Sequence, residues 1–225
     1  MMRRVLREQS LTLFFGAIFL AALIGQAIAG HAAYNNDQLA HGEAAVSLGR
    51  YVTSSDFWGA VMENWQSEYL QFMLFMFATV WLLQRGSPES KELDKAGRES
   101  KADQRLEHAA TKESPLWARV GGLRTALYSN SLLILMTAIF LGSWFAQSVT
   151  GWTEFNQTQS EHHEATITWL GYLGSAEFWE HTLENWQSEF LAVGSFAAFT
   201  IFLRQRGSPE SKPVGAPHGA TGIEG

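Results

Sequence analysis

A displacement of 121 residues lays this chain on itself. Glu63-Asn64-Trp65-Gln66-Ser67-Glu68 returns as Glu184-Asn185-Trp186-Gln187-Ser188-Glu189, and Gln84 through Lys91 returns letter for letter as Gln205 through Lys212. Ala17-Ile18-Phe19-Leu20 returns as Ala138-Ile139-Phe140-Leu141. Single positions keep the register: Gln26/Gln147, Gly30/Gly151, Asn35/Asn156, His41/His162, Glu43/Glu164, Tyr51/Tyr172 and Trp58/Trp179. Chance does not produce two long identical strings at one offset. The chain is therefore expected to build one unit twice, over 3–91 and 124–212. Between them, 92–123 has no counterpart and is rich in Lys, Glu, Asp and Arg, the composition of a solvated connector. Residues 213–225 read as a flexible tail.

Each unit holds two apolar runs. At about 1.5 Å per residue, 11–29 and 132–149 are each long enough to cross roughly 30 Å of hydrocarbon. The runs 69–83 and 190–203 are too short alone, but gain length if their helices begin near Asp56 and Glu177. The first of these helices is predicted over 55–85. Trp58, Val61, Met62, Trp65, Tyr69 and Phe72 lie on one stripe of it, with Asn64, Ser67, Glu68 and Gln71 opposite. Ser54 and Ser175 suit its N-cap and that of its counterpart, and Gly86 and Gly207 suit the C-prime position. The expected fold class is an all-α membrane protein, with four transmembrane helices arranged as two parallel-repeat helical hairpins. The mean hydropathy of -0.07 averages apolar runs with a polar connector and so does not oppose this.

Arg3, Arg4 and Arg7 before the first run, with Ala27-Ile28-Ala29 after it, have the look of a cleaved signal. The matching run at 132–149 is internal and cannot be one, so the first run is read as a retained span. Lys and Arg crowd the connector, the N-terminal segment and the residues after 203. The loop 31–67 has only Arg50, and 151–188 has none. This asymmetry predicts cytoplasmic N- and C-termini and a cytoplasmic connector. Both hairpins then point the same way, as parallel repeats about an axis along the membrane normal.

With no cysteine, disulfides, thiolate metal sites and thiol nucleophiles are excluded. No phosphate-binding glycine loop, HExxH or nucleophile elbow is present, so no enzyme activity is expected. No basic stripe suggests nucleic acid. The polar residues within apolar surroundings are Gln26, Glu68, Gln147 and Glu189. Gln26 stands about 23 Å above the start of its run and Glu68 about 24 Å above Gln84. A Gln donor could therefore meet a Glu acceptor between helices. The preferred reading is that these groups lock the hairpins; the alternative is a cation or proton site. Trp65 and Trp186 read as anchors in an outer aromatic belt. His41, Glu43, His162 and Glu164 recur in both units and could hold a divalent metal such as Zn, Ni or Mn. A plain acidic outer loop is the preferred reading, and no other cofactor is expected. Leu116, Trp117, Val120, Leu123 and Leu127, with Arg119 and Arg124, read as an amphipathic lead-in lying on the inner leaflet.

Gly30-His31, Tyr34-Asn35, Leu48-Gly49, Asp56-Phe57, the Glu-Asn-Trp-Gln-Ser-Glu motif and Arg85 through Lys91 carry a resemblance. With them the chain resembles an uncharacterised family of bacterial integral membrane proteins, a domain of unknown function. The resemblance implies the bacterial cytoplasmic (inner) membrane and nothing chemical. The expected partners are the lipid bilayer and further copies in a homo-oligomer. Three functions remain, in order: a non-catalytic membrane or envelope-associated factor, a small cation or proton channel or transporter using Glu68 and Glu189, and a membrane-bound metal-dependent enzyme.

Overall fold

The computed structural model describes residues 2–225, and no strand occurs among them. The elements are α1 (Met2–Glu8), α2 (Ser10–Ala40), α3 (Leu48–Tyr51), α4 (Ser55–Ala78), a 3-10 turn (Glu107–Ala109), α5 (Leu116–Arg119), α6 (Gly122–Ser129), α7 (Ser131–Glu161), α8 (Trp169–Leu173) and α9 (Ala176–Phe202). Two compact units form. One comprises Met1–Val61 with Gln147–Trp169, the other Met62–Ala146 with Leu170–Gly225. Each unit draws on both copies of the repeated sequence.

The fold is all-helical, with two helices, not four, long and apolar enough to cross a membrane. These are α2 and α7, each of 31 residues, with mean hydropathies of 2.2 and 1.8 over their most apolar stretches. α4 and α9 fall short because the expected spans begin in polar turns. α4 carries Glu63 and Glu68, and α9 carries Glu177, Glu180, Glu184 and Glu189.

The apolar run of α2 ends near Ala29, but the helix continues to Ala40 and stops on a left-handed turn. Gly42 has φ +78°, the Glu43 N–H donates to the Gln38 carbonyl (2.8 Å), and the Gly42 N–H donates to Leu39 (3.2 Å). This crossed pair satisfies carbonyls that a helix end leaves open. α7 stops the same way: His163 has φ +59°, Glu164 N–H donates to Gln159 O (2.7 Å), and His163 N–H to Ser160 O (3.1 Å).

α4 and α9 start where the capping signals place them. Ser54 Oγ accepts from the Phe57 N–H at 3.3 Å and Ser175 Oγ from the Phe178 N–H at 3.2 Å, with Asp56 and Glu177 in the first turns. Their ends differ from expectation. α4 closes at Ala78 rather than 85, in a turn where the Trp81 and Leu82 N–H groups both donate to Ala78 O (3.0 and 2.8 Å), and beyond it the Gly97 N–H donates to Val80 O at 2.7 Å. At α9, Arg204 Nη1 donates to Ile201 O at 3.2 Å. Gly86 and Gly207 do adopt positive φ (+86° and +84°), but in a turn beyond the helix and not at C-prime.

The stripes of α4 are also rearranged. Phe57, Val61, Gln66, Ser67 and Leu70 are buried, while Trp58 and Phe72 from the aromatic stripe are exposed.

Candidate functional site

In the first unit, the loop after each long helix is clasped to that helix by one asparagine. Asn35 Oδ1 accepts from the Val46 N–H (2.8 Å) and its Nδ2 donates to the Val46 carbonyl (3.0 Å). Asn156 makes the same two bonds to Ile167, at 2.8 and 3.0 Å. A third donor reaches the same carbonyl in each: His31 Nε2 to Val46 (2.7 Å) and Trp152 Nε1 to Ile167 (2.8 Å). A carbonyl only accepts, so the bond to Val46 requires the proton on His31 Nε2, and with the other tautomer the same nitrogen would instead accept from Asn35 Nδ2 at 2.9 Å. A Cβ on Gly30 would run into the hydroxyl of buried Tyr51, so this glycine admits the ring.

The recurring His and Glu positions lie where the two long helices stop. His41 is the C-cap of α2 and Glu43 closes its stop; His162 and Glu164 sit equivalently after α7. His41 Nδ1 bonds back to Asp37 O at 3.0 Å, and all four side chains are exposed. Among the described residues no three His, Asp or Glu side chains gather in a metal-ligating group.

Gln26 is half-buried on α2 and makes no hydrogen bond to the described residues, and Gln147 is buried on α7.

In the second unit the motif Glu-Asn-Trp-Gln-Ser-Glu meets its own copy. Trp186 Nε1 donates to Oε1 of Gln66 at 2.7 Å, and Gln66 is fully buried. Trp186 also packs on Phe140 and Trp144, with ring centroids 6.5 and 5.7 Å away. Its indole N–H is therefore held by protein. Trp65 is half-buried against Tyr69 (6.3 Å). Glu68 is exposed and lies within electrostatic reach of Glu189, its counterpart, which is half-buried. Gln71 Nε2 donates to the Glu189 main-chain carbonyl at 3.3 Å. Glu63 Oε1 and His181 Nδ1 are 2.7 Å apart.

A family model matches residues 2–223. This chain belongs to the family described as Domain of unknown function (DUF6766). No curated protein and no solved structure matches it.

In this DUF6766 protein the two Gln-Arg-Gly-Ser-Pro-Glu-Ser-Lys strings form the most tightly bonded part of the second unit. Each folds alike. Ser90 Oγ accepts from the Gln84 N–H and Ser211 Oγ from the Gln205 N–H, both at 2.9 Å. The closing lysine then reaches the carbonyl six residues on: Lys91 Nζ to Gly97 O (2.8 Å) and Lys212 Nζ to His218 O (2.7 Å). There the likeness ends. Lys91 also pairs with the Glu99 carboxylate, and this hydrogen bond holds that carboxyl below the usual range.

Lys212 is 1% exposed, has no carboxylate partner, and donates to Gly86 O at 2.5 Å and Ala220 O at 3.2 Å as well. Burial, with Arg204 nearby, pushes its ammonium below the usual lysine range. Around it, Gly86 N–H donates to Thr221 Oγ1 (2.9 Å) and Gly222 N–H to Ser87 O (3.1 Å), so residues 218–222 pack on the first string. Glu210, its counterpart, lies within electrostatic reach of Glu89. Burial first, then Glu210 and Glu224, pushes the Glu89 carboxyl up. From the sequence, only Gly86 and Gly207 of these strings have an expected role, at the ends of two helices. The burial of Lys212 left no local signal, because its partner Gly86 lies 126 residues away in the chain.

Proposed function

We propose that this protein is a non-catalytic integral membrane protein of the bacterial inner membrane, an assembly or envelope-associated factor with four spans and cytoplasmic termini. One observation carries the reading. α2 leaves Phe14, Phe15, Ile18, Leu20, Ile24 and Ile28 each at least half exposed, and none of its most apolar stretch is buried. Hydrocarbon, rather than water, suits such a surface. α4 and α9, with 24 and 27 residues, reach about 36 and 40 Å, so each has the length to cross a bilayer, although their polar first turns leave them less apolar than α2 and α7. Between α4 and α9, Trp186 donates to Gln66 at 2.7 Å, Gln71 donates to the Glu189 carbonyl at 3.3 Å and Glu63 meets His181 at 2.7 Å, in keeping with polar groups that join helices. Reporter fusions test the topology. One placed after Lys212 should behave as cytoplasmic, and one near Asn36 or Gln157 as external. An external C-terminus would sink the reading.

The proximity of Glu68 and Glu189 favours one second reading, a cation or proton path formed within an oligomer. Proton flux into liposomes tests it. Flux in the parent that is lost in Glu68→Gln and Glu189→Gln, with thermal stability unchanged, would replace the structural role by transport. No flux in the parent removes the alternative.

A further inference from the structure

We propose that Arg98, with the crevice beside it, binds the phosphodiester headgroup of an anionic phospholipid. The crevice is about 210 Å³ and lies within the second unit. Its apolar wall comes from the end of α4, the turn after it and the first turn of α7, with Phe77, Val80, Trp81 and Leu132. Its polar lining is Arg98 and Asn130, with Ser129. Phe77 and Trp81 pack at 4.9 Å between centroids, yet remain 50% and 43% exposed.

Charge makes Arg98 the telling residue. The lysines nearest to it in sequence are neutralised locally: Lys91 by Glu99, Lys95 by Glu92 at 2.7 Å, and Lys101 by Glu107 at 2.6 Å. Arg98 forms no ion pair or hydrogen bond with the described residues, so its guanidinium fork is open. A planar fork matches a phosphate through two parallel hydrogen bonds, and the apolar wall accepts the first acyl carbons. A lone anion would have no use for that wall.

Placing the headgroup in the cytoplasmic leaflet rests on the four-span reading, where cationic pockets meet anionic lipid. The binding itself does not rest on it. The test uses the full chain in non-ionic detergent, titrated with brominated phosphatidylglycerol or brominated phosphatidylcholine, reading tryptophan quenching. The signal of interest is the part lost in Trp81→Phe. It should appear at a phosphatidylglycerol concentration at least about tenfold lower than for phosphatidylcholine. Arg98→Gln should erase that preference, Lys95→Gln should keep it, and millimolar inorganic phosphate should not compete. The proposal is overturned if Arg98→Gln keeps the preference, if no quenching depends on Trp81, or if phosphate alone displaces the lipid. Failure of the four-span reading would appear in the reporter fusions and leave this titration unchanged.

Discussion

Lys212→Met separates a buried ammonium from its apolar outline. Methionine keeps the length of the side chain and removes the donor, leaving the carbonyls of Gly86, His218 and Ala220 without it. Hydrogen bonds to a charged group contribute about 1.5–3 kcal/mol each, so three amount to roughly 5–9 kcal/mol gross. Keeping the ammonium out of water takes back several kcal/mol of that. A net loss of about 2 kcal/mol is expected, felt locally where residues 218–222 pack on the first string. Amide hydrogen exchange reads this directly. The Gly222 N–H, held by Ser87 O at 3.1 Å, should exchange about 30-fold faster in the variant. Lys91→Met supplies the comparison. Lys91 is more exposed and its partner Glu99 lies close by in sequence, so the same amide should change by less than about threefold. Equal effects from the two variants, or unchanged exchange in Lys212→Met, would refute the reasoning.

Trp186→Phe should lower thermal stability in detergent by about 1–3 kcal/mol, because it strands the oxygen of buried Gln66. Adding Gln66→Leu should recover part of the loss, and no recovery would count against that bond. Asn35→Ala and Asn156→Ala should each cost about 1–3 kcal/mol in the same melt, since each removes two bonds to one residue of the loop after its helix. His31→Trp should be tolerated better than His31→Ala, because Trp152 supplies the same donor at the equivalent position.

The Glu89 pair adds a pH effect. Its carboxyl is raised in the folded protein, so the folded state binds the proton more tightly than the unfolded one. That stability is fully present below the ordinary Glu value and is lost as pH rises through the raised one. Melting temperature should therefore fall across that window in the parent, and fall less in Glu89→Gln. An identical pH profile in both would dismiss the effect.

Much of the chain's outline was legible in its letters. The 121-residue offset, the serine caps before α4 and α9, and the apolar stretches of α2 and α7 rest on contacts within a few residues. Such contacts carry the same meaning wherever they occur, which is why they can be read in one dimension. The early end of α4, the asparagine clasps and the role of His41 and Glu43 at a helix stop were not read. Each depends on where the backbone turns back. Asn35 is informative only once Val46 lies beside it.

The duplicated strings show the limit most sharply. Gln66 and Gln187 have the same neighbours in sequence, yet Gln66 is fully buried under Trp186 and Gln187 is exposed. Lys91 and Lys212 end the same eight letters, yet one pairs with a nearby carboxylate and the other is enclosed by carbonyls, one of them 126 residues away. Identical local sequence imposes identical local bonds, as the Ser90 and Ser211 turns show. What surrounds those bonds is set by distant chain. Burial and charge neutralisation were therefore decided by tertiary structure alone.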